Sequence, residues 1–514
     1  MHATQLSQPI VAASLVRFRA VLVASCLLGP AFACAQGAGE IAPDRPLTLD
    51  ACVSLAVQKN YTVQIQAYAA EQAKEAVEFA KGAFDPTLTA SIKRSFSQAA
   101  TSINTLDGTA REGLRTDNTA MSFGLSQRLP QTNGTVSLAT NLARNATNSS
   151  FVILNPAFGN GISANLSQPL LQNAGSNVAT AALERAKLGL KIANLSTRSS
   201  ILSTIASVET AYYNLVATRE ALRIRQLSLE LAQKLLGENQ ARRHIGTMTD
   251  LDVLTAEAGA ESARGAVLQA EKSVRDAEEA LLQLISVTDL GFRLGPVHFD
   301  NYVEEPLDFA AAYKLARENY PDLLASEETL KQLQITLNSA RRNQLPSVNF
   351  NATLGYTART VGTGYSGAIA NLPKDHGNNW ALGLTYSVPW DRRADRATFR
   401  SARAGVASQK VRIEQIELQL AASVRAATRT VETNLAAVSI AAKATELRTR
   451  QYELEKTRFD AGVSTSRLVL QAQSDLETAR FDELSAKLDL RRAASVLRQL
   501  EGSSLRHYRI LSQD

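Results

Sequence analysis

Apolar residues recur at every second position in several short segments of this 514-residue chain. Between residues 347 and 356 every even-numbered residue is apolar and every odd-numbered one is small or polar, and residues 382–388 repeat the pattern. Two earlier segments, 87–92 and 121–126, alternate in the same way. A period of two predicts β-strands with one apolar and one polar face. Two further stretches near Leu138 and Ala164 make an extra hairpin plausible, so four or six strands are expected.

Two interpretations of these strands are open. Lengths of about nine to eleven residues with an apolar and a small polar face are typical of strands between lipid and a water-filled lumen. An ordinary half-buried strand has the same period. Aromatic residues near the strand ends favour the membrane interpretation, because such residues collect at membrane–water interfaces. They are Tyr356, Tyr365, Trp380, Tyr386 and Trp390.

Most of the remaining chain is predicted to be helical. Residues 177–243 and 395–459 contain no proline and little glycine, and each segment could form a helix of roughly 95–100 Å. Between Ile413 and Ala442 apolar residues are spaced by repeated steps of three, four and four. This eleven-residue period keeps the apolar stripe nearly parallel to the helix axis, and a broad stripe predicts neighbours on both sides, as in a ring of helices. Three more apolar residues widen the stripe: Val411, Leu418 and Ala422.

The turns between helices reveal an internal repeat. RRHIGTMTDLDVLTAEAGAESAR around Gly246 and RFDAGVSTSRLVLQAQSDLETAR around Gly462 align in register. A repeated unit that cannot bury its own apolar face must pack on its copy or on another chain. We therefore expect two structural repeats, residues 47–297 and 306–502, each with a helix, strands and a long helix pair. A C-terminal tail of residues 503–514 follows.

The N-terminus predicts a secretory signal peptide of residues 1–35. Arg17 and Arg19 precede a short apolar run, and small residues permit cleavage after Ala35. Cys34 leaves a second route open, in which a lipid is attached to the cysteine. Beyond this leader no apolar run approaches the ~20 residues that a transmembrane helix needs.

Charge and candidate chemistry exclude several classes of protein. The formal charge is +6, but basic and acidic residues are interleaved along the helices, which indicates solvated helix faces and not a nucleic-acid interface. Five scattered histidines and three cysteines show no metal-ligand spacing and no catalytic grouping. Residues 362–367 match a dinucleotide-binding fingerprint by spacing, yet no βαβ unit surrounds them, so a loop is expected. We predict a protein without enzymatic activity, cofactor or metal.

These features together resemble the TolC-like outer membrane efflux family from about Leu47 to about Gly502. The resemblance rests on the leader, the repeat, the two glycine turns and strand hairpins that end in QPL at Pro169 and VPW at Pro389. It implies a mainly α-helical homotrimer with transmembrane β-strands, whose helices form an α-barrel across the periplasm and whose strands share one β-barrel in outer membrane lipid. Pro169 and Pro389 would mark the elbows between strand and helix, because proline is tolerated at such ends. Four to six strands cannot enclose a wet lumen alone, so sister chains must complete the wall.

The resemblance also implies where the functional residues lie. The turns would form the periplasmic tip, where the family closes its pore and where a periplasmic adaptor docks. The docking residues would be Gly246, Thr249, Gly462 and Thr465, although both glycines also have a structural role as helix C-caps. Asp252 occupies the position of a gate aspartate in the family and would form a gating salt bridge or hydrogen bond.

The second turn departs from the family pattern. Ser464 stands in place of a gate arginine, while Leu468 and Gln471 replace an acidic pair that lines the constriction. Nearby charges are available as substitutes, although an exposed charged turn is the alternative interpretation. These charges are Arg458, Asp460 and Arg467.

Three functions are candidates on this basis. The first is a trimeric outer membrane channel of a Gram-negative bacterium, the exit duct for small molecules or proteins in a tripartite efflux pump or type I secretion system. Its partners would be a periplasmic adaptor and an inner membrane transporter. The second is an exported coiled-coil structural or adhesive protein, which should lack alternating hairpins. The third is a periplasmic adaptor, which should have a single helical hairpin within nested modules. Tandem copies of strands and paired helices favour the channel.

Overall fold

The computed structural model describes residues 47–103, 110–246, 248–287, 294–297, 308–361, 363–374 and 376–510. The predicted signal peptide and Cys34 lie outside the described residues. The helices are α1 (Leu49–Lys59), α2 (Tyr61–Gly82), α3 (Ser176–Ala179), α4 (Ala181–His244), α5 (Asp250–Leu284), α6 (Phe309–Asn319), α7 (Pro321–Asn343), α8 (Gly364–Asn371), α9 (Arg393–Asp460), α10 (Ser466–Glu501) and α11 (Ser504–His507). The strands are β1 (Thr87–Gln98), β2 (Ser102–Ile103), β3 (Ala110–Arg111), β4 (Arg115–Arg128), β5 (Thr135–Thr147), β6 (Ala157–Pro169), β7 (Ser347–Val361) and β8 (Gly377–Ser387).

The helices form a layer that is four helices wide. The long helices α4 and α9 contain 64 and 68 residues and correspond closely to the two predicted segments. In the half nearer the sheet the order across the layer is α2, α4, α7, α9, and in the other half it is α5, α4, α10, α9. Helix α9 is therefore at one edge along the whole length, whereas α2 and α5 share the opposite edge. No helix in the described part of the chain is both long and apolar enough to cross a membrane.

A polar centre ties the C-terminal segment to the middle of the helical layer. Glu209 of α4 is fully buried and accepts hydrogen bonds from Ser495, from Tyr508 and from Arg498, whose Nη2 lies 3.2 Å away. These donors compensate the carboxylate for the water it loses on burial. Burial and the neighbouring negative charge of Glu209 raise the pKa of the Tyr508 phenol. The hydroxyl therefore stays protonated and donates to Glu209.

Six strands form one antiparallel sheet in the order β1, β4, β5, β6, β7, β8. The hairpin β5–β6 is the additional one that the sequence left open, so the sheet has six strands and not four. The turn between β4 and β5 is fixed to the end of β6, since the carbonyl of Thr132 accepts hydrogen bonds from Gln168 and from the backbone of Gly175. Strand β6 ends at Pro169, and β8 ends two residues before Pro389. Both prolines thus lie at strand ends, as expected.

The pairing register places the predicted apolar residues on one face of the sheet. Leu88 pairs with Leu125, which pairs with Leu138 on the next strand. On the other side Leu354 pairs with Trp380. Many of these side chains are exposed, which is costly for a sheet in water and favourable for a sheet in lipid. The opposite face carries small and polar residues such as Thr89, Ser122, Ser137, Ser163, Asn351 and Thr385.

One segment differs from the sequence expectation. The glycine-containing stretch at residues 362–367 was expected to be a loop, but residues 364–371 form helix α8. Its Tyr365 packs edge-on against Phe158 of β6 with ring centroids 5.1 Å apart, and Ala368 is fully buried. These two contacts stabilise a short helix in a sequence whose glycines alone would not predict one.

Candidate functional site at the helical tip

Two turns end the helical layer at the end remote from the sheet, one joining α4 to α5 and the other joining α9 to α10. Gly246 and Gly462 have φ values of +81° and +80°, in the left-handed region that glycine adopts without strain. Their amides donate to the carbonyls of Arg243 and Phe459, at 2.9 and 3.0 Å. The two copies of the repeat therefore share one C-cap geometry, and the glycines have the structural role that the sequence indicated.

The N-caps that follow differ between the copies. In the first, the Thr249 hydroxyl accepts from the Asp252 amide at 3.3 Å, and the Asp252 carboxylate accepts from the Thr249 amide at 3.1 Å. This reciprocal pair is a capping box. In the second, Thr465 makes no side-chain cap hydrogen bond, and Leu468 has no carboxylate to accept a hydrogen bond from the Thr465 amide. Hydrogen bonds from the side chain and the backbone of Thr249 lower the pKa of Asp252.

Asp252→Ala is expected to loosen the first turn of α5. Losing such a cap costs about 1 kcal/mol, so amide exchange there should rise roughly fivefold in hydrogen–deuterium exchange. The pKa of Asp252 is lower in the folded chain than in the unfolded chain, so the cap gives its full stabilisation at any pH above the pKa of the unfolded chain. This stabilisation is lost as the pH falls through the pKa of the folded chain, and there the exchange rates of wild type and variant should converge. The matched control is Leu468→Ala at the equivalent position of the other copy, and equal loosening of α5 and α10 would contradict the assignment.

A set of contacts that we name the tip clasp joins the two hairpins. Phe459 of α9 is only 1% exposed and packs against Leu235 of α4 and Val469 of α10. The guanidinium of Arg242, from α4, lies 4.4 Å from the centre of the Phe459 ring. The same guanidinium donates to the Phe459 carbonyl at 3.3 Å and pairs with Asp460 at 3.4 Å. One side chain of the first hairpin therefore covers and holds the end of the second.

Asn239 is the buried polar member of the tip clasp. Its amide is fully buried and donates to the Ser466 hydroxyl at 3.0 Å and to the Asp252 carbonyl at 3.3 Å. A single side chain on α4 thus contacts the first turns of both α5 and α10. A buried amide left without such partners would be costly, so these hydrogen bonds favour one relative position of the hairpins.

The structure separates the predicted gate residues. Asp460 contacts the other hairpin through Arg242. Arg458 pairs with Glu455 on its own helix at 3.2 Å, and its side chain is 60% exposed. Arg467 is exposed and forms no ion pair with any residue that the structure describes. Within the chain Asp252 serves its own helix cap, and a gating role for these four residues stays a prediction.

Sequence reasoning missed two members of the tip clasp, Asn239 and Arg242. A signal for Asn239 was present, because it follows Leu235 by four residues and therefore lies on the same side of the helix as an apolar residue. Arg242 had no such signal. An arginine, Arg458, occupies the equivalent position of the other copy but has a different environment, so the residue type alone does not predict the contact. Among the described residues no group of three or more histidine, cysteine, aspartate or glutamate side chains could hold a metal ion.

Paired long helices that end in two glycine turns, joined to a sheet with an exposed apolar face, define a channel-type outer membrane protein. Solved structures share this fold. The CmeC outer membrane channel of Campylobacter jejuni is 18% identical with a TM-score of 0.65, covering 88% of this chain and 85% of that one. The open-state MtrE outer membrane channel of Neisseria gonorrhoeae is 20% identical with a TM-score of 0.62, covering 88% of each chain.

Sequence comparison identifies the family. Protein CyaE of Bordetella pertussis is 26% identical over 328 residues, which is 63% of this chain and 67% of that protein. The outer membrane efflux protein BepC of Brucella suis is 22% identical over 296 residues, 57% of this chain and 62% of that protein. The family model described as outer membrane efflux protein matches residues 125–287 and 312–503. This chain belongs to the outer membrane efflux protein family.

Membership confirms the predicted TolC-like fold class and the outer membrane location with extension into the periplasm. Proteins of this family are channels without enzymatic activity that work with periplasmic adaptors and inner membrane transporters. The coiled-coil adhesin and the adaptor are thereby set aside as alternatives. The sheet is the membrane part, and the tip clasp lies at the periplasmic end.

Proposed function

We propose that three copies of this chain form one outer membrane channel, the exit duct for small molecules or proteins in a tripartite efflux pump or a type I secretion system. The observation that carries this proposal is a second apolar stripe on α9. Leu420, Val424 and Val431 are buried against neighbouring helices of the same chain. Leu418 and Leu447 are exposed and lie about 180° away around the helix. The expectation that Val411, Leu418 and Ala422 widen the buried stripe was therefore wrong, because these exposed residues lie on the opposite side of α9.

The opposite edge of the helical layer is also apolar. On α2 the exposed residues include Ile65 and Tyr68, and on α5 they include Leu251 and Leu254. An exposed apolar stripe at each edge of one layer fits a second copy of the same chain on either side, which closes a ring by the same interface each time. Three such copies would give the α-barrel that the resemblance implied.

The edges of the sheet lead to the same assembly. Among the strands that the structure describes, β1 and β8 each have one partner strand, so no described strand pairs with their outer backbone groups. In lipid each unpaired group costs several kcal/mol, which pairing β8 of one copy with β1 of the next would avoid. Three copies of a six-stranded sheet would make eighteen strands. A closed barrel of that size encloses an aqueous lumen.

The periplasmic rim is proposed to receive the adaptor. With two structural repeats per chain, residues 47–297 and 306–502, three chains would present six turns. The docking residues are again Gly246, Thr249, Gly462 and Thr465. An inner membrane transporter bound through the adaptor would supply the energy, because the channel itself carries no catalytic grouping.

Single-channel recording tests the proposal. The full chain, extracted from membranes and purified as its oligomer, is reconstituted into a planar lipid bilayer. We expect discrete conductance steps that cease when the protein is omitted or heat-denatured. A folded oligomer that gives no conductance steps, even after the clasp is weakened by Arg242→Ala, would refute the channel.

A further inference from the structure

Three arginines lie on the lipid-facing side of the sheet at its outer end. The apolar face includes the register row Ile92, Met121 and Leu142. The next row of the same face, one step further from the helices, contains Arg94 and Arg144 on either side of Thr119. Because the helices extend into the periplasm, this row lies toward the cell exterior. We call Arg94, Arg115, Arg144 and Asp117 the arginine rim.

On this face two arginines of the arginine rim contact Asp117, and the third contacts Phe96. Arg94 forms a two-point pair with the Asp117 carboxylate at 3.0 and 3.1 Å, and Arg144 Nη1 lies 3.4 Å from the same carboxylate. Arg115, two residues from Asp117 and therefore on the same face, lies 5.0 Å from the ring centre of Phe96. Two guanidinium groups thus share one carboxylate, and together with Arg115 they give the arginine rim a net charge of two positive units.

The rim keeps donors free for a ligand. A guanidinium has five N–H donors, and Asp117 accepts from two of those on Arg94. The Arg94 side chain is 72% exposed, so its remaining donors point into the surroundings of the sheet. Phe96 and the leucines of the rows nearer the helices present an apolar surface to the same surroundings. A matching ligand has an anionic head and an apolar tail.

We propose that the arginine rim binds the phosphate groups of outer-leaflet lipid. The guanidinium fork fits phosphate oxygens by two parallel hydrogen bonds, and the apolar face beside it accommodates acyl chains. Cationic side chains at membrane headgroup depth are attracted to anionic lipid. The proposal rests on the outer membrane placement of the sheet and not on trimer formation or transport.

Lipid binding can be measured directly with diphosphoryl lipid A as the probe. The full-length protein in detergent is titrated with lipid A, and the bound lipid is quantified by native mass spectrometry. We expect Arg94→Gln to weaken lipid A binding about fivefold. The triple variant, which combines Arg94→Gln, Arg115→Gln and Arg144→Gln, should weaken it about 100-fold. Asp117→Asn should tighten binding, because it removes the carboxylate that competes with phosphate for the arginines.

The chain offers a matched control on the opposite face. Lys93 and Arg359 are the two ends of one register row that runs through Ala120, Ala143 and Gly159. This row lies beside that of Arg94 and Arg144, at nearly the same distance from the helices. Lys93→Gln with Arg359→Gln should leave lipid binding unchanged.

Several results would overturn the proposal. Three concern the variants: unchanged binding in the triple variant, an equal loss in the opposite-face control, and weaker binding by Asp117→Asn. The fourth is displacement of lipid A by inorganic phosphate at equal concentration, which would indicate a site for free anions. Arg94→Gln retains the pair between Arg144 and Asp117, so it remains informative if the triple variant fails to assemble. Conductance should persist in every variant, which separates this test from that of the channel.

Discussion

Replacing Leu418 and Leu447 together by aspartate is expected to abolish assembly of the chain into its oligomer. Both leucines belong to the exposed stripe of α9, and Leu418 is 74% exposed in the single chain. In the proposed ring each would be buried against the apolar edge of a neighbour. An unpaired carboxylate in such an interface costs several kcal/mol, and the cost recurs at every interface of the ring. Light scattering after size-exclusion chromatography should show the mass of one chain in place of three.

Matched controls lie on the same helix between its two apolar stripes. Thr430 and Ser439 are exposed polar residues, so Thr430→Asp with Ser439→Asp adds the same charge to α9 at positions that face solvent. This double variant should assemble normally. Circular dichroism should show that both proteins keep their helices, because the buried stripe is untouched. A leucine double variant that still assembles would show that α9 is not the contact between copies.

Periodicity made most of the regular structure predictable from the sequence. The strands and long helices were predicted because each buries or exposes a continuous face, and a face of that kind leaves a regular spacing in the sequence. The strand count was left open, because β5 and β6 alternate less strictly where Thr140 and Asn160 interrupt the apolar face. Helix α8 was missed because it depends on Tyr365 packing against Phe158, a contact between residues far apart in the chain.

At the candidate site, too, the sequence could not predict contacts between residues that lie far apart in the chain. The two glycine turns could be aligned from the sequence, and their equal backbone geometry follows from that alignment. The sequence could not show that Arg242 reaches Phe459 while its counterpart Arg458 stays on its own helix. That difference arises from which hairpin lies beside which, and one sequence carries no information on such pairing. Asp252 was recognised by position, but its cap with Thr249 also required local geometry.

Arg242→Ala is expected to shift the channel toward its open state. In the proposed channel, opening by movement of one hairpin against the other would break the contacts of the tip clasp, so those contacts would stabilise the closed arrangement. Losing the interaction of Arg242 with the Phe459 ring and carbonyl removes about 2 kcal/mol, equivalent to a roughly 30-fold change in the ratio of open to closed channels. Single-channel recordings should show a correspondingly higher open probability.

The repeat supplies the control for this prediction. Arg458→Ala removes the same side chain from the equivalent position of the second copy, where it contacts only Glu455 of its own helix among the residues described. Its effect should be small, as for exposed ion pairs in general. Arg242→Lys should lie between wild type and Arg242→Ala, because lysine keeps the charge near Asp460 but loses the planar stacking on Phe459. Equal opening by Arg242→Ala and Arg458→Ala would show that loss of positive charge at the tip, and not the clasp between hairpins, controls the pore.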